Sequence, residues 1–598
     1  MYPKFQGLWY LVGREFRTSR RPLNVASVRA RTVEQATKYQ SPWNDGTEYA
    51  PPLGTTGQIK GAHMAGKPQT LATTSAFEIL GPVMVGPSSS HTAGALRCAQ
   101  VAASLLEGRI AKVTFGLWNS FAHTYRGHGT DRALVAGILG LDTDDENIKQ
   151  AFDLAREQGL EYHFDIKGDD ASIHPNTVDI DMVDDTGATA QVRGESLGGG
   201  KMRISRINGV GVDISGMYST LFVAHKDVPG VLAALTNLLA YAHVNIAFCR
   251  TYRTEVGGQA YSVFETDGAP DDTVVPMLRK LDNVDYATFI ELPGSASSLS
   301  PGVSAKEIFD DGEQLLDACE ELGLSIGAVM AVREARLTGE AHAVDAMRRV
   351  LDVMREETTA PIANPQRSLG GLIGGEAKLV DATGRNDLST SLMGAVQTDA
   401  VARAMAVLER SATMGVIVAA PTAGSAGVVP GCVLALADRL QLDDEQVMDA
   451  LYCAAAIGLN LTTSACVAGA EGGCQAEVGS AAAMAAAALV QMLGGTPEQA
   501  LDASSIALSN LLGLVCDPVG GLVEVPCQNR NAIGVAAAFS SAQLALAGIK
   551  SLVPFDQMAH VMLSVGHALP ATLRETAKGG IAQAPAALSA CAKCGVCG

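Results

Sequence analysis

Three cysteines lie in loops that suit a bound group better than a packed core. Cys474 sits in Glu-Gly-Gly-Cys-Gln-Ala-Glu (Glu471–Glu477), and Cys516 and Cys527 close the run Cys-Asp-Pro-Val-Gly-Gly-Leu-Val-Glu-Val-Pro-Cys. Proline and paired glycines fix turns and let the backbone come close to a bulky group. Three thiolates can hold three irons of a cubane and leave the fourth open. An open iron is a Lewis acid for a carboxylate and a hydroxyl. Three buried free cysteines are the plain alternative, and spacing alone does not choose between them.

The surrounding runs carry more. They are Gly-Pro-Ser-Ser-Ser-His-Thr (Gly86–Thr92), Gly-His-Gly-Thr-Asp (Gly127–Asp131), Ala-Pro-Thr-Ala-Gly-Ser-Ala-Gly (Ala420–Gly427), Glu471–Ser480 and Cys516–Cys527. In this order, across about 75–590, the chain resembles the iron–sulfur L-serine dehydratases. The first two runs resemble that family's beta domain and the others its alpha domain, which some members keep on separate subunits. The resemblance implies a [4Fe–4S] cluster on Cys474, Cys516 and Cys527, and β-elimination of L-serine to pyruvate and ammonia.

That substrate needs an anion site. Ser88, Ser89, Ser90 and Thr92 lie at one expected helix start, and Thr422, Gly424 and Ser425 at another. Helix N-termini offer free N–H groups and partial positive charge, although N-capping alone would also account for these residues. Histidines are sparse late in the chain: from 343 onward only His560 and His567 occur, neither in a motif. His91 and His128, inside motifs, are therefore the candidate acid–base pair across a domain interface, with a structural hydrogen bond as the alternative for each. His123 lies between them in sequence but outside the motifs. Asp131 and Arg530 are candidates for orientation and charge pairing, and Asn529 and Asn531 for bonds to the cluster or its loop.

The chain ends Cys591-Ala-Lys-Cys594-Gly-Val-Cys597-Gly598. This C-x-x-C-x-x-C resembles part of a ferredoxin ligand set but lacks a fourth nearby cysteine. It could bind its own metal, be redox-active or disordered, or fold back to cap the open iron.

The elements that position these groups follow from pattern and composition. The chain has 598 residues, 47% hydrophobic and 18% charged, with net charge −19. That suits a large core and several domains, and it disfavours nucleic acid as a partner. The uncharged stretches Ser411–Ala437 and Val478–Pro497 read as buried core rather than membrane spans. Residues 1–72 open with Lys4, Arg14, Arg17, Arg20, Arg21, Arg29, Arg31 and Lys38 against Glu15 and Glu34. This is either a transit peptide, which would make the protein mitochondrial rather than cytoplasmic, or an unstructured extension or mistaken gene start.

The expected class is α+β and multidomain. Residues 75–210 form an α/β serine-dehydratase beta-like domain, with a helix from near Thr92 and a β-rich stretch turning at Gly198–Gly200. Residues 218–292 read βαββαβ, with an Asp-Val-Pro-Gly turn at Asp227–Gly230, and resemble the ACT domain, a regulatory module that often binds amino acids. An amino-acid effector and a homodimer contact are expected there. A linker at 293–304, Ser/Gly/Pro-rich over Ser295–Val303, leads to a largely α-helical alpha-like domain, 305–590, and the cysteine tail, 591–598.

Other functions remain open at this level. A pyridoxal-phosphate dehydratase needs a Schiff-base lysine and a phosphate cup, but from 361 onward only Lys378, Lys550, Lys578 and Lys593 occur, none in a Gly-rich motif beside an expected strand. The same cluster could act on L-cysteine or L-threonine. An amino-acid sensor would explain 218–292 but not the Gly–Cys loops.

Overall fold

Alternation of apolar and polar residues builds the first sheet. In β4 (Asn176–Asp184) Val178, Ile180 and Met182 point into the core, while Asp179 and Asp181 point away. The computed structural model describes residues 74–216, 219–266, 268–290, 309–386 and 392–594. The N-terminal extension, the Ser295–Val303 linker and Cys597 lie outside them.

After a short strand β1 (Val83–Val85), five strands join β4 in a six-stranded sheet. They are β2 (Ile110–Trp118), β3 (Glu161–Gly168), β5 (Thr189–Gly198), β6 (Lys201–Ile207) and β7 (Val210–Ile214), in the order β3-β2-β4-β5-β6-β7. Helices Gly94–Ala103 and Thr130–Ile138 pack together, and Cys98 of the first is buried against β5 at Gly194. The turn into the first helix is wider than the sequence pattern suggests. Ser89–Ala93 forms one π-helical turn before the α-helix begins at Gly94. Ser88 caps it by accepting the His91 N–H at 3.2 Å. Such turns often mark functional positions, and this one carries His91.

The next unit is βαββαβ. Strands β8 (Ser219–Lys226), β9 (Ile246–Arg253), β10 (Gln259–Thr266) and β11 (Val284–Ile290) pair antiparallel in the order β11-β8-β10-β9. Helices Val231–Tyr241 and Val274–Leu278 complete it. Leu221, Val223 and Phe264 pack with Leu235, Leu239 and Leu278. On the opposite face Phe222, Ala224, Tyr261 and Val263 join the core of the preceding sheet. Burial on both faces explains the continuous apolar run of β8.

The remaining described residues are mostly helical. Helix Ser480–Met492 buries nearly every side chain, seven of them alanine, among helices Val428–Leu440, Asp444–Ser464, Pro497–Leu511 and Cys527–Leu546. A helix apolar all round belongs in a core. Among the described residues no helix is long and apolar enough to cross a membrane. One strand interrupts the helices: β12 (Val416–Val418) pairs antiparallel with β1, Val83 opposite Val418. In this register Gly86 leaves β1 beside Gly415, and Ala419 leaves β12 beside Pro82, while Ala93, Ala423 and Ala426 share one buried apolar cluster.

Gly427 shows how tightly the helices approach. A β-carbon there would lie 2.1 Å from the Ala404 carbonyl oxygen of helix Gly394–Ala412. Gly427→Ala is expected to cost about 3 kcal/mol of stability through overpacking. Thermal unfolding measures this, and an unchanged Tm would contradict it.

Candidate active site

The thiol loops converge in one buried place. Cys474, Cys516 and Cys527 are each buried. Cys516 is pinned by its backbone: its N–H donates to the Leu573 carbonyl, and its carbonyl accepts the Glu575 N–H, both at 2.8 Å. Cys527 opens helix Cys527–Leu546, and the turn before it is held by Glu524. That carboxylate accepts Gly370 N–H (2.7 Å), Leu372 N–H (2.9 Å) and the Ser368 hydroxyl (2.7 Å). One turn into the helix, Arg530 Nη1 donates to Val515 O (2.7 Å) and reaches Cys474 Sγ (3.5 Å), while Nη2 donates to Asp517 (2.7 Å).

Two glutamates complete the arrangement. Glu477 follows Cys474 in a second π-helical turn, Gln475–Gly479. Its carboxylate lies within 4.8 Å of the Cys474 and Cys516 sulfurs and accepts the Thr422 hydroxyl at 2.7 Å. It has room because two neighbours are glycines: a β-carbon would approach it to 3.0 Å from Gly424 and 2.6 Å from Gly469. Glu575, at a left-handed residue (φ +57°), faces the histidines. Its Oε1 lies 3.7 Å from His91 Nδ1 and 3.6 Å from His128 Nε2. The two rings stack with centroids 4.2 Å apart.

Burial sets the protonation of this cluster. It pushes the Glu575 carboxyl well up, aided by the neighbouring Glu477 and Cys474, and raises Glu477 to about 7. The Cys516 thiol is raised by its contact with Cys474 and then by burial, and the Cys527 thiol by burial first. The histidines move the other way: desolvation holds His91 well below its usual value and takes His128 to about 4. Three thiols and two glutamate carboxyls are thus buried beside the Asp517–Arg530 ion pair, opposite two neutral imidazoles. A soft donor set this short of positive charge fits a thiolate-ligated metal centre.

The candidate residues divide. The three cysteines, His91, His128, Thr422 and Gly424 come together. The Ser88 and Ser90 hydroxyls lie 3.2 and 3.0 Å from His91 Nδ1, so they orient the ring. Ser89 is buried in the same turn, and Thr92 donates to the His128 carbonyl at 2.9 Å. Ser425 braces its own turn by donating to Ala420 O at 3.3 Å. Asn531 ties the Ala420–Gly427 loop to Cys527, accepting Gly427 N–H and donating to Gly424 O and Cys527 O. Asn529 is exposed on the helix's outer side. Asp131 pairs with its neighbour Arg132, and His123 with Asp169 at 2.8 Å. Helix Pro585–Cys591 packs against the Val519–Gly521 turn, leaving Cys591 and Cys594 half-buried.

Sequence reasoning missed Glu477, Glu575 and Ser120. Glu477 had a usable signal, its place three residues after Cys474. Ser120 Oγ lies 2.9 Å from His91 Nε2 and donates to the Glu575 carbonyl at 3.3 Å. It also lines a cavity of about 660 Å³ with His123, Asp169, His174, Glu471 and Arg574.

Family models match in three places: "Serine dehydratase beta chain" over 75–206, "ACT domain" over 219–283 and "Serine dehydratase alpha chain" over 321–582. The L-serine dehydratase of Streptomyces coelicolor is 31% identical over 509 residues, 83% of this chain and 96% of the relative. This chain belongs to the L-serine dehydratase family. That family comprises lyases. In Peptoniphilus asaccharolyticus the corresponding proteins are an L-serine dehydratase alpha chain (43% identical, 46% of this chain and 94% of the relative) and beta chain (39%, 36% and 98%).

Burial orders the thiols of the metal-free dehydratase chain. Exposed Cys249 is expected to be alkylated well before Cys474, Cys516 and Cys527, since thiolate character and access control reactivity. Peptide mass spectrometry after brief labelling reads this, and equal labelling would contradict the closed site.

Proposed function

We propose that this chain converts L-serine to pyruvate and ammonia at a [4Fe–4S] cluster held by Cys474, Cys516 and Cys527. The observation that carries this reading is the buried set of three thiols and two carboxyls facing a neutral histidine pair. When bound, the cluster supplies a Lewis acid that makes the β-hydroxyl a better leaving group.

Hydrogen bonds set the histidine tautomers. The Thr124 carbonyl, 3.2 Å from His128 Nδ1, can only accept, so Nδ1 carries the proton and Nε2 the lone pair. That Nε2 is buried with no hydrogen-bond partner among the described residues. In His91 the roles reverse. Ser120 gives its one proton to the Glu575 carbonyl, so it accepts from His91 Nε2, and Nδ1 accepts from Ser90 or Ser88. His128 Nε2 is thus the available base for the Cα proton, and His91 backs it as its stacked neighbour.

The carboxylate falls to the leading N–H groups of the Ser88–Thr92 and Thr422–Ser425 turns, which helix geometry leaves unpaired. The hydroxyls of Ser88, Ser90, Thr92 and Thr422 hold the site's own groups. Removal of the Cα proton and loss of water leave aminoacrylate. It tautomerises to an imine, which takes up water to give pyruvate and ammonia. The ACT domain is proposed to tune this activity by binding an amino acid, in a homodimer.

Anaerobic reconstitution followed by a pyruvate assay on L-serine tests the reading. Cys474→Ala, Cys516→Ala and Cys527→Ala are each expected to lose iron and activity, and activity surviving in any of them would remove that ligand. His128→Asn is expected to lower kcat by roughly 10²- to 10⁴-fold, the usual worth of a general base, and His91→Asn by less. The reverse order would exchange their roles.

A further inference from the structure

L-Serine reaches this site as a zwitterion, and the two ends need different partners. The donor wall is rich in acids and thiols. Its one guanidinium, Arg530, is already engaged by Asp517, Val515 O and Cys474. The substrate's ammonium therefore needs a carboxylate that is still free to accept. Glu477 is occupied by the Thr422 hydroxyl at 2.7 Å and enclosed by Gly424 and Gly469. Asp517 is occupied by Arg530 and by the Ile581 N–H, each at 2.7 Å.

Glu575 accepts the Ala470 N–H, yet it is the carboxyl that lies against the histidine pair. Its ion-pair neighbours among the described residues are His91 and His128, at 3.7 and 3.6 Å. Those distances exceed an ordinary hydrogen bond. His128 Nε2, aimed at the same oxygen, is itself buried and without a hydrogen-bond partner. A third polar group set beside this pair would lie within hydrogen-bond reach of both atoms. Geometry also suits the chemistry. The substrate nitrogen is one bond of about 1.5 Å from Cα, so an ammonium on Glu575 Oε1 brings the Cα–H to His128 Nε2.

Resting on the serine dehydratase reading above, we infer that Glu575 seats the α-ammonium of the substrate and so selects 2-amino acids over acids that lack the amino group. Glu575 is then a substrate-binding residue supplied by the last loop of the alpha region, and it sets the register of Cα against the base.

The test compares L-serine with 3-hydroxypropionate, which keeps the carboxylate and β-hydroxyl but has no ammonium. In the reconstituted wild type, 3-hydroxypropionate is expected to bind about 10- to 100-fold more weakly than L-serine, the worth of a charged hydrogen bond. In Glu575→Gln the KM for L-serine is expected to rise by a similar factor, with 3-hydroxypropionate binding, read by calorimetry, nearly unchanged. Glu575→Asp, which keeps a carboxyl group, should recover part of the discrimination.

Equal affinity of the two ligands in the wild type would overturn the inference. So would a Gln variant that weakens both alike or lowers kcat with KM intact, because Glu575 would then only orient the histidines. Iron content is measured first. If Glu575→Gln holds no cluster, the wild-type comparison and the Asp variant decide. A wild type without cluster or serine turnover would instead overturn the proposed function.

Discussion

The site depends on one charge relation. Buried thiols and carboxyls outnumber their cations, and Arg530 holds the parts in place. Its guanidinium spans the Cys474 sulfur, the Val515 carbonyl and Asp517, while the second oxygen of Asp517 accepts the Ile581 N–H at 2.7 Å. One fork therefore joins three segments distant in sequence: the Cys474 loop, the start of the Cys516–Cys527 run, and the loop that carries Glu575. A planar, permanently charged group with several donors suits that duty in a way a lysine would not. The acids and thiols it leaves uncompensated lie buried together.

The helical core supplies rigidity without bulk. The chain is poor in aromatic residues and rich in alanine and glycine, and the helices around Ser480–Met492 approach closely enough that Gly427 has no space for a methyl group. Close backbone contact lets short polar side chains act as braces. Asn531 bridges two motif loops, and Glu524 gathers three donors from the Ser368–Leu372 segment. Both lie near Cys527, so the loop that carries it is held from either side.

Much of this was legible in the sequence. The βαββαβ order between Ser219 and Ile290 and the buried character of the uncharged stretches followed from periodicity and turn residues. The cysteine loops stood out because Gly and Pro surround them. The exceptions are tertiary. Glu575 lies in Arg-Glu-Thr-Ala-Lys, a run that reads as a solvated charged loop; only its left-handed backbone and its bond to Cys516 turn it inward. The two π-helical turns leave no mark in a 3.6-residue pattern, yet they carry His91 and Glu477. Ser88 and Ser90, read as anion donors, also flank His91 Nδ1, because a buried imidazole nitrogen needs a partner as much as a substrate does.

The pairing of β1 with β12 joins residues 83–85 to residues 416–418, on either side of the whole ACT domain. In the Peptoniphilus proteins the matching regions are separate polypeptides, so such a seam would form by encounter between chains. Here it closes within one chain. Tethering replaces a concentration-dependent association with an effective concentration fixed by the intervening segment. The histidine half and the thiol half therefore stay in fixed one-to-one proportion, and dilution cannot part them.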